Sequence, residues 1–277
     1  MAVGTSDGEV IVLAEEDGLE LWRVKAPSEV LAVPRIYQGV VIIQTVDGAL
    51  SGFDASNGER IWVNDRDVPV LTLRGTSSPL VIDNVVLAGF SNGKLVAVDV
   101  RTGSKLWEIP VAVPKGRSEL ERIVDLDVDA VISDTRLYVA SFQGNLKAID
   151  LTTGREDWSR DISAYAGIAV DYSQVYVSDA NSEVWAFDSS GGAAVWKQSK
   201  LLRRSVTGPV VTDDYIAVGD YQGFLHLLSR YDGAIAGRVR VDSGGIRVPA
   251  YSVGDRLLVL GAGGKLVLYR VEPIGSQ

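Results

Sequence analysis

The chain contains no cysteine, and that absence removes disulfides, thiolate catalysis, Cys-ligated zinc and iron–sulfur clusters at once. Histidine is nearly as scarce, His226 being the one copy in 277 residues. A Ser–His–Asp relay would have to use it. It lies within Phe224-Leu225-His226-Leu227, which reads as strand framework and not as a loop, so a structural role is expected. Histidine-based metal sites fail on count. No apolar stretch approaches the roughly 20 residues needed to cross a bilayer; the longest, such as Val40–Ile43 and Val85–Ala88, are of strand size. No charged segment followed by an apolar one opens the chain. It begins abruptly inside patterned sequence at Ala2-Val3-Gly4, as expected of a chain cut from a longer precursor. Positive charge is in deficit, with 27 Lys and Arg against 36 Asp and Glu and a net charge of −9. Such a surface repels phosphate backbones, so no nucleic-acid partner is expected.

Two short patterns resemble ligand sites and fail on their key positions. Asp125-x-Asp127-x-Asp129 starts like a calcium loop, but Ala130 stands where glycine is needed and Arg136 where the bidentate glutamate belongs. Gly261-Ala-Gly-Gly-Lys265 lacks the leading glycine of a phosphate loop and is followed by Leu266 in place of Ser or Thr, so it reads as a turn before the last strand. No metal or cofactor site is expected.

What the sequence has in abundance is a repeat. Runs of the form Gly-x-hydrophobic-x-hydrophobic-x-Asp, then Gly, then Trp, start at Gly8, Gly48, Gly93, Gly144, Ser182, Gly223 and Gly264. The terminal Trp is present at 22, 62, 107, 158 and 196, and Gly237 is the exception. The successive spacings of 40, 45, 51, 38 and 41 residues match the length of a four-stranded propeller blade. Each element has a physical reason. The run Leu95-Val96-Ala97-Val98 suits a strand buried between neighbouring blades. Asp-Gly, Asn-Gly and Thr-Gly pairs supply the positive φ of tight hairpins. The Trp closes each outer strand and is expected to pack against the adjacent blade. Two further strands, such as Pro79–Ile82 and Val85–Ala88, precede each motif. Four strands per repeat and almost no helix follow. Seven in-register copies argue against a β-sandwich with coincidental turns. The expected fold is an all-β, PQQ-like or WD40-like β-propeller, a single domain over residues 1–277. The first repeat shows only its last two strands, and the seventh stops before its Trp strand.

The departures from the period point to a site. From the first-strand positions Pro34, Pro79, Ala130, Ile168 and Pro209 to the Asp position of the same repeat the distance is always 20 residues. From Trp to the next first strand it is 12, 17, 23, 10 and 13, so two consecutive connections, Val63–Ser78 and Glu108–Asp129, are lengthened. In an up-and-down blade these connections emerge on one face, and adjacent elaborations there make one patch. The first contains Val70-Leu71-Thr72-Leu73-Arg74-Gly75; Leu71 and Leu73 share a side if extended, with Arg74 beside them. Exposed leucines flanked by arginine are characteristic of protein–protein hot spots. The second contains Asp125-Leu126-Asp127, whose carboxylates face one way if extended. They would meet a basic partner or Arg74 of the same chain.

Four stretches resemble the BamB family beyond the general repeat. They are Leu71-Thr-Leu-Arg-Gly-Thr-Ser-Ser-Pro79, Ser118-Glu-Leu-Glu-Arg-Ile-Val-Asp-Leu-Asp127, Gln198-Ser-Lys-Leu-Leu-Arg203 with Thr207-Gly-Pro209, and Val241-Asp-Ser-Gly-Gly245. The first two coincide with the lengthened connections. The resemblance implies a non-catalytic subunit of the outer-membrane β-barrel assembly machinery, an eight-bladed propeller held by a lipid on an N-terminal cysteine at the periplasmic face of the outer membrane. It also implies docking to the POTRA domains of BamA through Leu71, Leu73, Arg74, Asp125 and Asp127, with unfolded outer-membrane proteins as a second partner reached by β-augmentation. About seven repeats are present here, while the lipobox, its cysteine and roughly the first one and a half blades are not. Two other classes share the repeat: other PQQ-like adaptor or sensor ectodomains, and PQQ-dependent dehydrogenases. Many of the dehydrogenases hold the quinone beside adjacent-cysteine disulfides and a bound calcium, for which this sequence has no cysteine and no clear acidic cage.

Overall fold

The computed structural model describes residues 1–64, 77–112, 126, 129–142, 144–151 and 153–272. Among these residues there is no helix, and 26 strands form seven antiparallel sheets in two compact units.

The unit of Met1–Ala130 with Ser141–Gly144 holds three sheets. The first is β1 (Ala2–Gly4), β2 (Glu9–Leu13) and β3 (Glu20–Lys25). The second is β4 (Arg35–Tyr37), β5 (Val40–Gln44), β6 (Leu50–Asp54) and β7 (Arg60–Asn64). The third is β8 (Leu80–Ile82), β9 (Val85–Gly89), β10 (Lys94–Asp99) and β11 (Lys105–Pro110). The first repeat therefore has three strands and not the two expected. Ala2–Gly4 is too short to show a period and is defined by its pairing with Val10, Ile11 and Val12. The lengthened connections also begin later than expected, because β7 continues two residues beyond Trp62 and β11 three beyond Trp107.

The unit of Val131–Ala140 with Asn145–Gln277 holds four. The fourth sheet is β12 (Val131–Ser133), β13 (Arg136–Ala140), β14 (Asn145–Asp150) and β15 (Arg155–Asp161). The fifth is β16 (Ala164–Val170), β17 (Gln174–Asp179), β18 (Val184–Asp188) and β19 (Ala194–Gln198). The sixth is β20 (Val210–Val211), β21 (Tyr215–Gly219), β22 (Phe224–Ser229) and β23 (Ile235–Arg240). The seventh has three strands, β24 (Tyr251–Val253), β25 (Arg256–Leu260) and β26 (Leu266–Arg270).

The continuous apolar runs are explained by burial on both faces. In β5, Val41 and Ile43 pack toward Val10, Val12 and Trp22 of the first sheet, while Val40 and Ile42 pack toward Val86, Ala88 and Val96 of the third. A half-exposed strand would alternate polar and apolar; a strand sandwiched between sheets need not. The second unit repeats the logic, with Tyr176, Val184 and Ala186 against Ile216, Val218 and Leu228.

The Trp of a repeat joins its sheet to the next. Trp22 donates its indole N–H to the Ala55 carbonyl at 2.9 Å, Trp62 to Val100 at 2.7 Å, Trp158 to Ser189 at 3.0 Å and Trp196 to Arg230 at 2.8 Å. In each case the acceptor is the residue after the Asp position of the following repeat. All four indoles are buried, whereas Trp107 is half-buried. The turn that receives the ring must be glycine: Gly103 has φ +67°, and a Cβ there would lie 2.6 Å from the Trp62 ring. A β-bulge accompanies each Trp. The pairs Val12–Trp22, Gly52–Trp62, Ala97–Trp107, Ala148–Trp158 and Ala186–Trp196 are each followed by a register shift. The extra residue turns outward, which accounts for the exposure of Leu21, Ile61, Leu106 and Val195.

The sixth sheet inverts this pair. Gly237 stands opposite Leu227, with the same register shift after it. The large side chain has changed strands, and a cavity of about 240 Å³ bounded by Leu225, Leu227, Leu257 and Tyr269 remains beside it. A Cβ on Gly237 would meet nothing within 4 Å, whereas a Cβ on Gly52 would lie 2.4 Å from the Trp62 ring. A Cβ has room at Gly237, but an indole placed there as Trp62 is placed over Gly52 would lie over Leu227, so Gly237→Trp alone is expected to destabilise by about 1–3 kcal/mol. Adding Leu227→Ala should recover most of that loss. Urea unfolding of the four proteins in this cycle measures the coupling, and additive effects would show that the two positions are independent.

Candidate partner-binding surface

Leu71, Leu73, Arg74, Asp125 and Asp127 lie outside the described residues. What the structure does describe is the set of residues from which the two lengthened connections spring. The first connection ends at Ser77 and Ser78, both buried. The Ser78 hydroxyl accepts the Val33 amide at 3.3 Å, and Arg35 donates to the Pro79 carbonyl at 3.1 Å. The second connection starts at Val111 and Ala112, buried and with both amides donating to the Gly93 carbonyl at 2.8 and 3.0 Å. It returns at Leu126, also buried.

One bond ties the two together. The Ser78 amide donates to the Asp129 carboxylate at 2.5 Å, across 51 residues of sequence. Leu126 and the Ser77 hydroxyl close on the same glycine: a Cβ on Gly89 would lie 2.9 Å from each. The Gly89 carbonyl in turn accepts the Gln44 amide at 2.6 Å. The last residues of both connections thus share one footing. That Ser77, Ser78, Leu126 and Asp129 meet was not readable from the sequence, since a hydrogen bond over such a separation leaves no local signature.

His226 is buried in β22, as its apolar neighbours suggested. Its Nε2 lies 2.8 Å from Oδ2 of Asp220, a residue with no exposed side-chain surface, and Arg204 Nε donates to the same oxygen at 2.6 Å. The other carboxylate oxygen accepts the amides of Gln222 and Phe224 at 2.9 and 3.0 Å. Burial pushes the Asp220 carboxyl up, but the hydrogen bonds from His226, the Phe224 amide and Arg204 outweigh it and hold the group below the usual carboxylate range. The arrangement is a buried structural network that locks the hairpin between β21 and β22 to the connection carrying Arg204.

Comparison with known proteins places these features in a family. The sequence profile described as outer membrane protein assembly factor BamB matches residues 1–198. The chain belongs to the BamB family. A BamB of Pseudomonas aeruginosa is 47% identical over 205 residues, covering 74% of this chain and 54% of that protein. A BamB of Bordetella pertussis is 36% identical over 272 residues, covering 98% of this chain and 70% of that protein. The chain thus spans about half of the first relative and about two thirds of the second. The crystal structure of BamB from Moraxella catarrhalis superposes with a TM-score of 0.93 at 31% identity, over 98% of this chain and 81% of that one. The seven sheets accordingly belong to the PQQ-like β-propeller class of BamB. A quinohemoprotein alcohol dehydrogenase from Pseudomonas putida matches at 13% identity with a TM-score of 0.72, over 93% of this chain and 60% of that one, and shares the fold alone.

Proposed function

We propose that this chain acts as a non-catalytic scaffold in outer-membrane protein assembly at the periplasmic face of the outer membrane, docking the POTRA domains of BamA through its two lengthened connections. The observation that carries the reading is the Ser78–Asp129 hydrogen bond, which roots both connections in one place. Family membership supplies the process, and the paired connections supply the surface. Leu71 and Leu73 provide the apolar anchor of the contact, and Arg74 with Asp125 and Asp127 fixes its register and speeds encounter. The parent protein is held at the membrane by a lipid anchor, and unfolded outer-membrane proteins are a second partner.

Leu73→Glu and Arg74→Ala should each weaken binding of purified BamA POTRA domains by about 1–3 kcal/mol, without lowering the thermal midpoint of the scaffold. Titration calorimetry reads the affinity. Unchanged binding by both variants would remove these connections from the interface.

A further inference from the structure

Three of the sheets carry a surface ion pair at matching places in the repeat. The two residues stand at fixed places in the repeat: one follows the starting Gly or Ser, and the other faces the third residue before the Asp position. In the first sheet they are Glu9 and Arg23, bridged at 2.8 Å. In the third they are Lys94 and Glu108 at 2.6 Å, with the signs exchanged. In the fifth they are Glu183 and Lys197 at 3.1 Å. In the sixth the corresponding residues are Phe224 and Arg238. The cation is kept and its carboxylate is replaced by a ring.

Arg238 has no acidic partner among the described residues. Its guanidinium stands 5.3 Å from the Phe224 ring centroid, with that of Arg240 at 5.8 Å from the same ring. It also borders an open cavity of about 380 Å³, whose wall includes Lys200, Leu201, Arg204, His226 and Ile235. Of the cations on that wall, Arg204 alone is bridged to an acid within the described residues, namely Asp220. Lys200 and Arg238 are exposed. Two exposed cations and a guanidinium already oriented by Asp220 thus line one cavity in a molecule of net charge −9, in a sheet whose Phe224 stands where the first and fifth sheets carry a glutamate.

We propose that this wall is a binding site for an acidic polypeptide segment, a ligand carboxylate in the cavity giving Arg238 and Lys200 the acidic partner that Arg23 and Lys197 find within their own sheets. Guanidinium and ammonium groups recognise carboxylates through charge-assisted hydrogen bonds, and the aliphatic surface of Leu201 and Ile235 suits the short stem that bears one. Extended polyanions such as nucleic acid are disfavoured by the acidity of the rest of the chain.

Because His226 is the one histidine of the chain and lines this cavity, its imidazole resonance is a single-site reporter. Titration of the full chain with a capped hexaglutamate peptide at low salt, followed by NMR of that resonance, should give a saturable shift. Inorganic phosphate at the same charge concentration should not reproduce it. Arg238→Glu should weaken the peptide at least about tenfold. Phe224→Glu, which installs the missing acid beside Arg238 as in the first and fifth sheets, should do the same while the thermal midpoint holds. Lys200→Glu, at an exposed position, repeats the test should either of these fail to fold. An imidazole signal unmoved by millimolar peptide would overturn the assignment, as would equal affinity in all variants. Equal response to phosphate would reduce the site to a general anion trap and overturn the polypeptide ligand.

Discussion

Asp220→Ala is expected to cost about 3–5 kcal/mol, the largest loss of any single substitution considered for this protein. The carboxylate is fully buried and accepts four donors: Arg204 Nε, His226 Nε2 and the amides of Gln222 and Phe224. Removing it leaves Arg204 Nε, the imidazole and two backbone N–H groups without their acceptor at once, and a buried donor without an acceptor costs more than the bond it replaces. Urea unfolding followed by far-ultraviolet circular dichroism measures the loss. The substitution should also change the pH dependence of stability. The Asp220 carboxyl is held below its ordinary value in the folded chain, so the unfolded chain takes up the proton first on acidification. The resulting stabilisation is complete above the unfolded aspartate pKa of about 3.9 and is lost as the pH falls through the lower folded value. Asp220→Asn should therefore show a shallower acid limb than the wild type. A variant within about 1 kcal/mol of the wild type, with an unaltered acid limb, would mean that the network contributes little.

Trp62→Ala should cost nearly as much, about 3–5 kcal/mol. The indole is buried between the second and third sheets, with its ring against Gly103 and its N–H on the Val100 carbonyl. Alanine forfeits the ring and leaves that carbonyl without its donor. Trp62→Phe separates the two contributions. It keeps most of the apolar contact and loses the hydrogen bond, so it should fall between the wild type and alanine. Leu106→Ala, at an exposed bulge position, is the matched control and should change stability by less than about 0.5 kcal/mol. If Trp62→Ala behaved like that control, the indole would not be a joint between sheets.

The repeat was legible in the sequence because its parts are local. Trp, the glycine of the preceding turn and the Asp before it lie within about ten residues of one another, and the hairpin that needs them closes over that distance. First-strand positions read from the spacing, such as Pro79 and Ala130, fall one residue before β8 and β12. Relations that cross strands were not legible. The exchange of Trp for Gly at 237 is plain, but its compensation by Leu227 requires the bulged register that sets them opposite. The three-residue β1 shows no alternation and exists through its partner. For the candidate surface, the lengths of the two connections were readable, and their common footing at Ser78 and Asp129 was not. The basic wall was hidden for the same reason, since Lys200 and Arg238 come together through the placement of β23 and not through any motif.

The joint between sheets has a directional grammar. Each repeat that carries both halves has a donor on its last strand and an acceptor carbonyl just after its Asp position. A copy inserted by duplication brings both halves with it and splices into the array without a new interface having to evolve. A repeat that loses the donor forfeits that modularity and must match its successor privately, as Leu227 does beside Gly237. The junction after the sixth sheet has no such clip, so substitutions on its two sides must evolve together, while repeats joined by indoles need conserve only the donor and the turn that receives it.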